Sequence, residues 1–196
     1  MMEEPIDQTK LQAALTQLNK QLQNAQTPRT ELVVCGGSAL IAMGLVPRTT
    51  RDLDIIAMVQ ESQMVSADPL PGYLMQAASK VAKTLSLPEN WLNNGPASQF
   101  QLGLPDGFQN RLTTCEIGEK LVVHYIGRLD QIFFKVFAAA DRGGYHVNDL
   151  RLLNPSEEEL VAAGKWCMTI DVSPAFREIL KNMFEQLGWK NVSDRI

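Results

Sequence analysis

The sequence predicts an α/β fold: a small mixed β-sheet flanked by helices, with a helical C-terminal portion. Three observations predict it. A short apolar run, Leu32 to Cys35, reads as a buried strand that is broken by Gly36-Gly37-Ser38 and followed by helical composition from Ala39 to Leu45. A second strand pattern, Asp52 to Val59, follows the stop at Pro47. Two β-rich runs, Leu112 to Ile117 and Lys120 to Ile126, meet at Gly118-Glu119 as a hairpin that extends the sheet.

The remaining elements fall in order around this core. Gln8 to Gln26 carries Leu11, Leu15, Leu18 and Leu22 at spacings of four, three and four, one apolar stripe of a helix closed by Thr27-Pro28. Ser38 stands where the N-cap of the next helix belongs. Gln60 to Pro71 reads as a polar loop, and Gly72 to Leu87 as a helix stopped by Pro88. Glu89 to Phe108 is rich in turn chemistry, with Trp91 and Phe100 expected to anchor it. Leu129 to Ala140 is an apolar helix interrupted by Lys135 and ended by Gly143-Gly144. A shorter helix carries His146, Asp149 and Leu150, and helices over Glu157–Thr169 and from Ser173-Pro174 to Leu187 complete the chain. We expect residues 1–150 to form one domain and residues 151–196 a helical extension packed on it.

Composition narrows the function classes. A net charge of −4 and a pI near 5.2 argue against wide non-specific nucleic-acid binding and leave only a local basic groove open. No apolar stretch reaches the length of a membrane span, and MMEEPIDQTK is too acidic and polar for a signal peptide. Cys35, Cys115 and Cys167 are odd in number and widely spaced, as buried free thiols of a reducing cytoplasm would be.

The chemistry-bearing stretch is Glu31 to Val59. Successive strand residues point to opposite faces, so Asp52 and Asp54 share a face, roughly 7 Å apart. Two carboxylates entering an apolar strand are an unfavourable pair unless a cation lies between them. Opposite them, the Gly36-Gly37-Ser38 turn offers backbone N–H groups that suit phosphate. Phosphate beside a divalent metal is the logic of phosphoryl or nucleotidyl transfer. Arg48 and Arg51 either neutralise the acids or contact triphosphate, for which guanidinium geometry is suited.

Gly37-Ser38, thirteen residues, then Asp52-x-Asp54 resembles the signature of the DNA polymerase β-like nucleotidyltransferase superfamily. The fuller string, Gly-Gly-Ser-Ala followed by Arg-x-Thr-Arg-Asp-Leu-Asp-Ile, resembles its small bacterial branch that includes abortive-infection-type nucleotidyltransferase toxins. The resemblance implies that Gly36, Gly37 and Ser38 hold the nucleotide's phosphates and that Asp52 and Asp54 hold Mg²⁺ or Mn²⁺. It implies transfer of NMP from an NTP to an acceptor hydroxyl on tRNA, protein or a small molecule. Downstream, Lys135-x-x-x-Ala139-x-x-Arg142 and His146-x-x-Asp149-Leu150 resemble the same branch, in which the lysine contacts triphosphate and the aspartate positions substrate or lysine. On the residues alone, Lys135 either snorkels to the surface or reaches a buried partner. A third carboxylate, usual in catalytic members, has no clear place here: Glu89, Glu116 and Glu119 lie near strands without a convincing context. Either Asp149 stands in for it, or the chain is a nucleotide-binding or protein-interaction module of a toxin–antitoxin-type pair, with a partner protein encoded nearby.

Overall fold

In the computed structural model, which describes residues 5–196, the chain forms the expected mixed sheet flanked by helices, with a helical C-terminal region. The chain divides into two compact units, residues 5–104 with Gln109–Ile126, and Pro105–Phe108 with Gly127–Ile196.

The first unit contains helix α1 (Gln8–Asn24), strand β1 (Thr30–Cys35), helix α2 (Gly36–Ala42), strands β2 (Leu53–Gln60) and β3 (Gln63–Ser66), helix α3 (Gly72–Leu85), strand β4 (Leu92–Asn93), helix α4 (Ala97–Leu102) and strands β5 (Thr113–Gly118) and β6 (Leu121–Tyr125). The strand order is β3-β2-β1-β6-β5, with β4 paired to the start of β2. β1 runs antiparallel to β2 and parallel to β6. One face is closed by the α1 stripe (Leu11, Leu15, Leu18 and Leu22) and by Leu74, Ala78 and Val81 of α3, packed over Leu32, Val34, Leu53 and Ile55. Each of these residues is at most 2% exposed, so the period of the α1 leucines is the period of the core. Asp7 caps α1, its carboxylate accepting the Lys10 N–H at 2.8 Å.

Three local expectations change. Ser38 is not an N-cap: Gly36, at φ +70°, completes the turn in one residue and α2 begins at once from Cys35. Ser38 is therefore fully buried inside the helix, where its hydroxyl donates back to the Cys35 carbonyl at 3.3 Å. The stretch after Gln60 is not all loop: Glu61 and Ser62 both take positive φ, the two-residue hairpin geometry, and β3 returns along β2. The turn-rich stretch from Glu89 contains β4 and α4, held by a buried Trp91 whose indole N–H donates to the Ala78 carbonyl at 3.0 Å.

The second unit contains helices α5 (Arg128–Arg142), α6 (Tyr145–Leu152), α7 (Glu157–Ile170), α8 (Pro174–Gln186) and α9 (Lys190–Ser193). Its aromatic cluster joins Phe133, Phe134 and Phe137 of α5 to Trp166 of α7, with Phe176 of α8 against Phe137. Ser156 and Glu159 form a capping box at the start of α7. Glu159 also takes two hydrogen bonds from Arg128, at 2.6 and 3.2 Å, while Arg128 donates to the carbonyls of Leu153 and Asn154. One guanidinium thus ties the start of α5 to the α6–α7 turn.

The Arg128 hydrogen bond holds the Glu159 carboxyl below the usual carboxylate range. A depressed folded-state pKa gives stability that is fully present above the unfolded value and is lost as pH falls through the folded one. Glu159→Gln should therefore cost about 1–2 kcal/mol at neutral pH, discounted for partial exposure. It should also flatten the acid limb of stability below about pH 4, which thermal unfolding across a pH series will show.

Candidate functional site

The turn between β1 and α2 stands opposite the start of β2. A register shift between Val33 and Val34 passes over one residue of β2, so that Cys35 pairs with Asp54; an unbroken ladder would have set Ile55 there. Leu53 and Ile55 enter the α1/α3 core, which sends Asp54 to the other face. Asp52 shares its parity just ahead of the strand, and both carboxylates are half-buried at its mouth.

Glycine is required at both turn positions for different reasons. At Gly36 the backbone is left-handed, and a Cβ would collide with the Asp54 carboxylate. At Gly37 a Cβ would stand 2.7 Å from the Thr50 hydroxyl and 2.9 Å from an Arg48 guanidinium nitrogen. The bare backbone of the turn thus has Asp54 on one side and Arg48 with Thr50 on the other. Arg48 is half-buried and donates to the Thr49 carbonyl at 2.8 Å, whereas Arg51 is exposed. Thr50 donates to the Asp52 carboxylate at 3.3 Å, and its backbone is bridged to Ile6 in both directions, at 2.7 and 2.9 Å.

The turn and the strand mouth bring together Gly36, Gly37, Arg48, Asp52 and Asp54, all in the first unit, whereas the Ser38 hydroxyl is buried against the Cys35 carbonyl and Arg51 is exposed. Two hard carboxylate oxygens beside a side-chain-free turn fit Mg²⁺ or Mn²⁺, which is held by one or two carboxylates plus phosphate oxygens and water. Sequence reasoning gave no role to two neighbours. Thr50 was legible as a hydroxyl two residues before an acid. Asn93 was not: it is set beside Asp54 only by the two-residue strand β4, and its side-chain oxygen accepts the Gly95 N–H at 2.8 Å. Glu116 lies elsewhere, paired with Arg29 at 3.2 Å, and Glu119 accepts from Gln23 at 3.3 Å. Among the described residues, no group of three or more His, Cys, Asp or Glu side chains could hold a metal ion.

In the second unit Lys135 does not snorkel. Its side chain is 6% exposed, its ammonium lies 2.8 Å from Asp149, itself 1% exposed, and 5.6 Å from the centre of the Tyr145 ring. Of the two alternatives read from the residues, the lysine takes the buried partner. Gly143 and Gly144, both at φ +60°, turn the chain so that α6 returns along α5 and sets Asp149 on the lysine. His146 is buried and stacked on Tyr145 at 4.0 Å between ring centres, while Arg142 is exposed beside Asp141. Cys35 and Cys167 are buried and Cys115 is exposed, so the expectation of three buried thiols holds for two. Burial pushes the Cys167 thiol well above its ordinary pKa.

Lys135→Met should cost about 3–5 kcal/mol by leaving the Asp149 carboxylate buried without a counter-charge. Lys135→Met/Asp149→Leu should recover most of that loss. Urea unfolding of the two single variants and the double variant measures the coupling.

The comparisons with known proteins bear on this arrangement. The family model described as a nucleotidyltransferase of unknown function (DUF6036) matches residues 10–163, a span that includes both acids, the glycine turn and the Lys135–Asp149 pair. The chain belongs to that family. No curated protein and no solved structure gives a match. No helix among the described residues is long and apolar enough to cross a membrane.

Proposed function

We propose that this member of the nucleotidyltransferase family is a metal-dependent enzyme that moves NMP from an NTP to an acceptor hydroxyl, in the manner of the small bacterial toxin-like branch. The observation that carries the reading is the close approach of the Gly36–Gly37 backbone to Asp54, with Arg48 on the turn's other side. That arrangement keeps a carboxylate and a guanidinium within reach of a backbone that carries no side chain, the groups a metal–phosphate complex would need.

Asp52 and Asp54 would hold Mg²⁺ or Mn²⁺. When bound, the cation neutralises charge on the phosphate oxygens as pyrophosphate leaves. Gly36, Gly37 and Ser38 shape the turn that receives the phosphates, and Arg48 and Arg51 supply guanidinium groups to them. In the same resemblance Lys135 is a nucleotide-contacting lysine whose ammonium Asp149 holds in place; here that pair lies within the second unit. The acceptor is a hydroxyl of tRNA, protein or a small molecule, and the setting is the cytoplasm.

A second reading is a nucleotide-binding or protein-interaction module of a toxin–antitoxin-type pair, encoded beside its partner protein. Asn93 favours it, because the strand next to Asp54 carries a neutral amide there and no further acid. The two readings part on turnover.

If the first reading holds, Mg²⁺ with an NTP at 100 times its Kd should stabilise the protein by about 2.7 kcal/mol. Asp52→Asn/Asp54→Asn should fold and lose that response. Incubating the parent with each labelled NTP, Mg²⁺ and cell extract should transfer label to one acceptor. Stabilisation without transfer would select the module, and an unchanged response in the double variant would place the metal elsewhere.

A further inference from the structure

Thr50 stands between the glycine turn and the acidic pair without belonging to either. Its hydroxyl oxygen is 2.7 Å from the position that a Cβ on Gly37 would take, so it packs on that residue's α-carbon. The single proton of that hydroxyl is shared between the Asp52 carboxylate at 3.3 Å and the Asp52 carbonyl at 3.4 Å. Thr50 is 7% exposed, and its backbone is fixed by the paired N–H and carbonyl bonds to Ile6, whose own side chain is fully buried. A side chain with this anchoring has little freedom to swing, and its γ-methyl group and hydroxyl cannot exchange places cheaply.

Asp52 lies outside the β2 ladder proper, so strand pairing does not by itself orient it. An aspartate just ahead of a strand samples several rotamers unless a neighbour selects one. Thr50 is the neighbour whose hydrogen bond does so.

We infer that Thr50 is a positioning residue: its hydroxyl, wedged against Gly37, fixes the Asp52 carboxylate for cation binding and ties that carboxylate to the phosphate turn. The inference rests on the proposed metal site at Asp52 and Asp54. Groups that orient a metal-binding carboxylate typically change metal affinity by 10–100-fold when removed. The position needs the hydroxyl and not merely the volume, which separates it from an ordinary packed threonine.

Mn²⁺ alone is the probe, titrated by isothermal calorimetry against the full chain and its variants, with the apo melting temperature measured alongside. Thr50→Val, which keeps the branched shape, should weaken Mn²⁺ affinity by about tenfold or more. Thr50→Ser, which keeps the hydroxyl, should restore affinity to within about threefold of the parent, a margin of well under one tenfold step. Because Thr50 acts through Asp52, Thr50→Val should add nothing to the loss in an Asp52→Asn background. Equal Mn²⁺ affinity in the parent and Thr50→Val would overturn the role of Thr50 while leaving the metal site standing. So would a serine variant as weak as the valine variant, or a valine effect that persists undiminished beside Asp52→Asn. A parent that binds Mn²⁺ neither alone nor with a non-hydrolysable NTP present would sink the metal site itself, and this inference with it. A Thr50→Val that unfolds at assay temperature is replaced by Thr50→Ala, read against Thr50→Ser by the same criteria.

Discussion

The pairing of β1 with β2 is the constraint on which the candidate site depends. In an unbroken antiparallel ladder, the residue facing Cys35 would be Ile55, and an apolar side chain would stand against the Gly36 turn. The one-residue shift substitutes Asp54. The face of the strand is unchanged, because Leu53 and Ile55 still enter the core that α1 and α3 close. Burial of those two residues fixes the register, and the register delivers the carboxylate. The glycine at position 36 then follows from sterics, since any side chain there would occupy the volume that Asp54 uses.

This ordering explains why much of the site could be read from residues alone. Alternation marks Asp52 and Asp54 as sharing a parity, although only Asp54 enters the strand, and a strand broken by two glycines is a turn in any fold. The α1 stripe was equally legible, because leucines at helical spacing have one economical way to be buried. The misplaced details share another cause. Ser38 has cap chemistry, but the left-handed Gly36 shortens the turn and draws the serine into the helix. β3 follows Glu61-Ser62, a pair that adopts hairpin geometry without the usual Asn-Gly signature. β4 is two residues long, too short for any periodicity, and it is seen only in its pairing with β2 beside the buried Trp91.

The Lys135–Asp149 pair shows a different limit. The sequence marked both residues, but whether the lysine reaches a partner or the surface depends on how α6 returns along α5. That return is set by Gly143 and Gly144, and it ends with an ammonium and a carboxylate 2.8 Å apart in a buried setting. Such a pair is a weak source of stability relative to an apolar one, yet it is costly to break from one side.

The reading proposed above makes the Gly36–Gly37 turn and the Asp52/Asp54 pair one site for a metal–nucleotide complex. Paramagnetic relaxation tests it most directly: amide spectra of the labelled protein are recorded with a non-hydrolysable NTP while Mn²⁺ is added at substoichiometric levels. The account predicts that the amides of Gly36, Gly37, Asp52 and Asp54 broaden first and that the α1 amides remote from the turn stay sharp. Broadening centred on other acids, or spread evenly over the acidic surface, would contradict it.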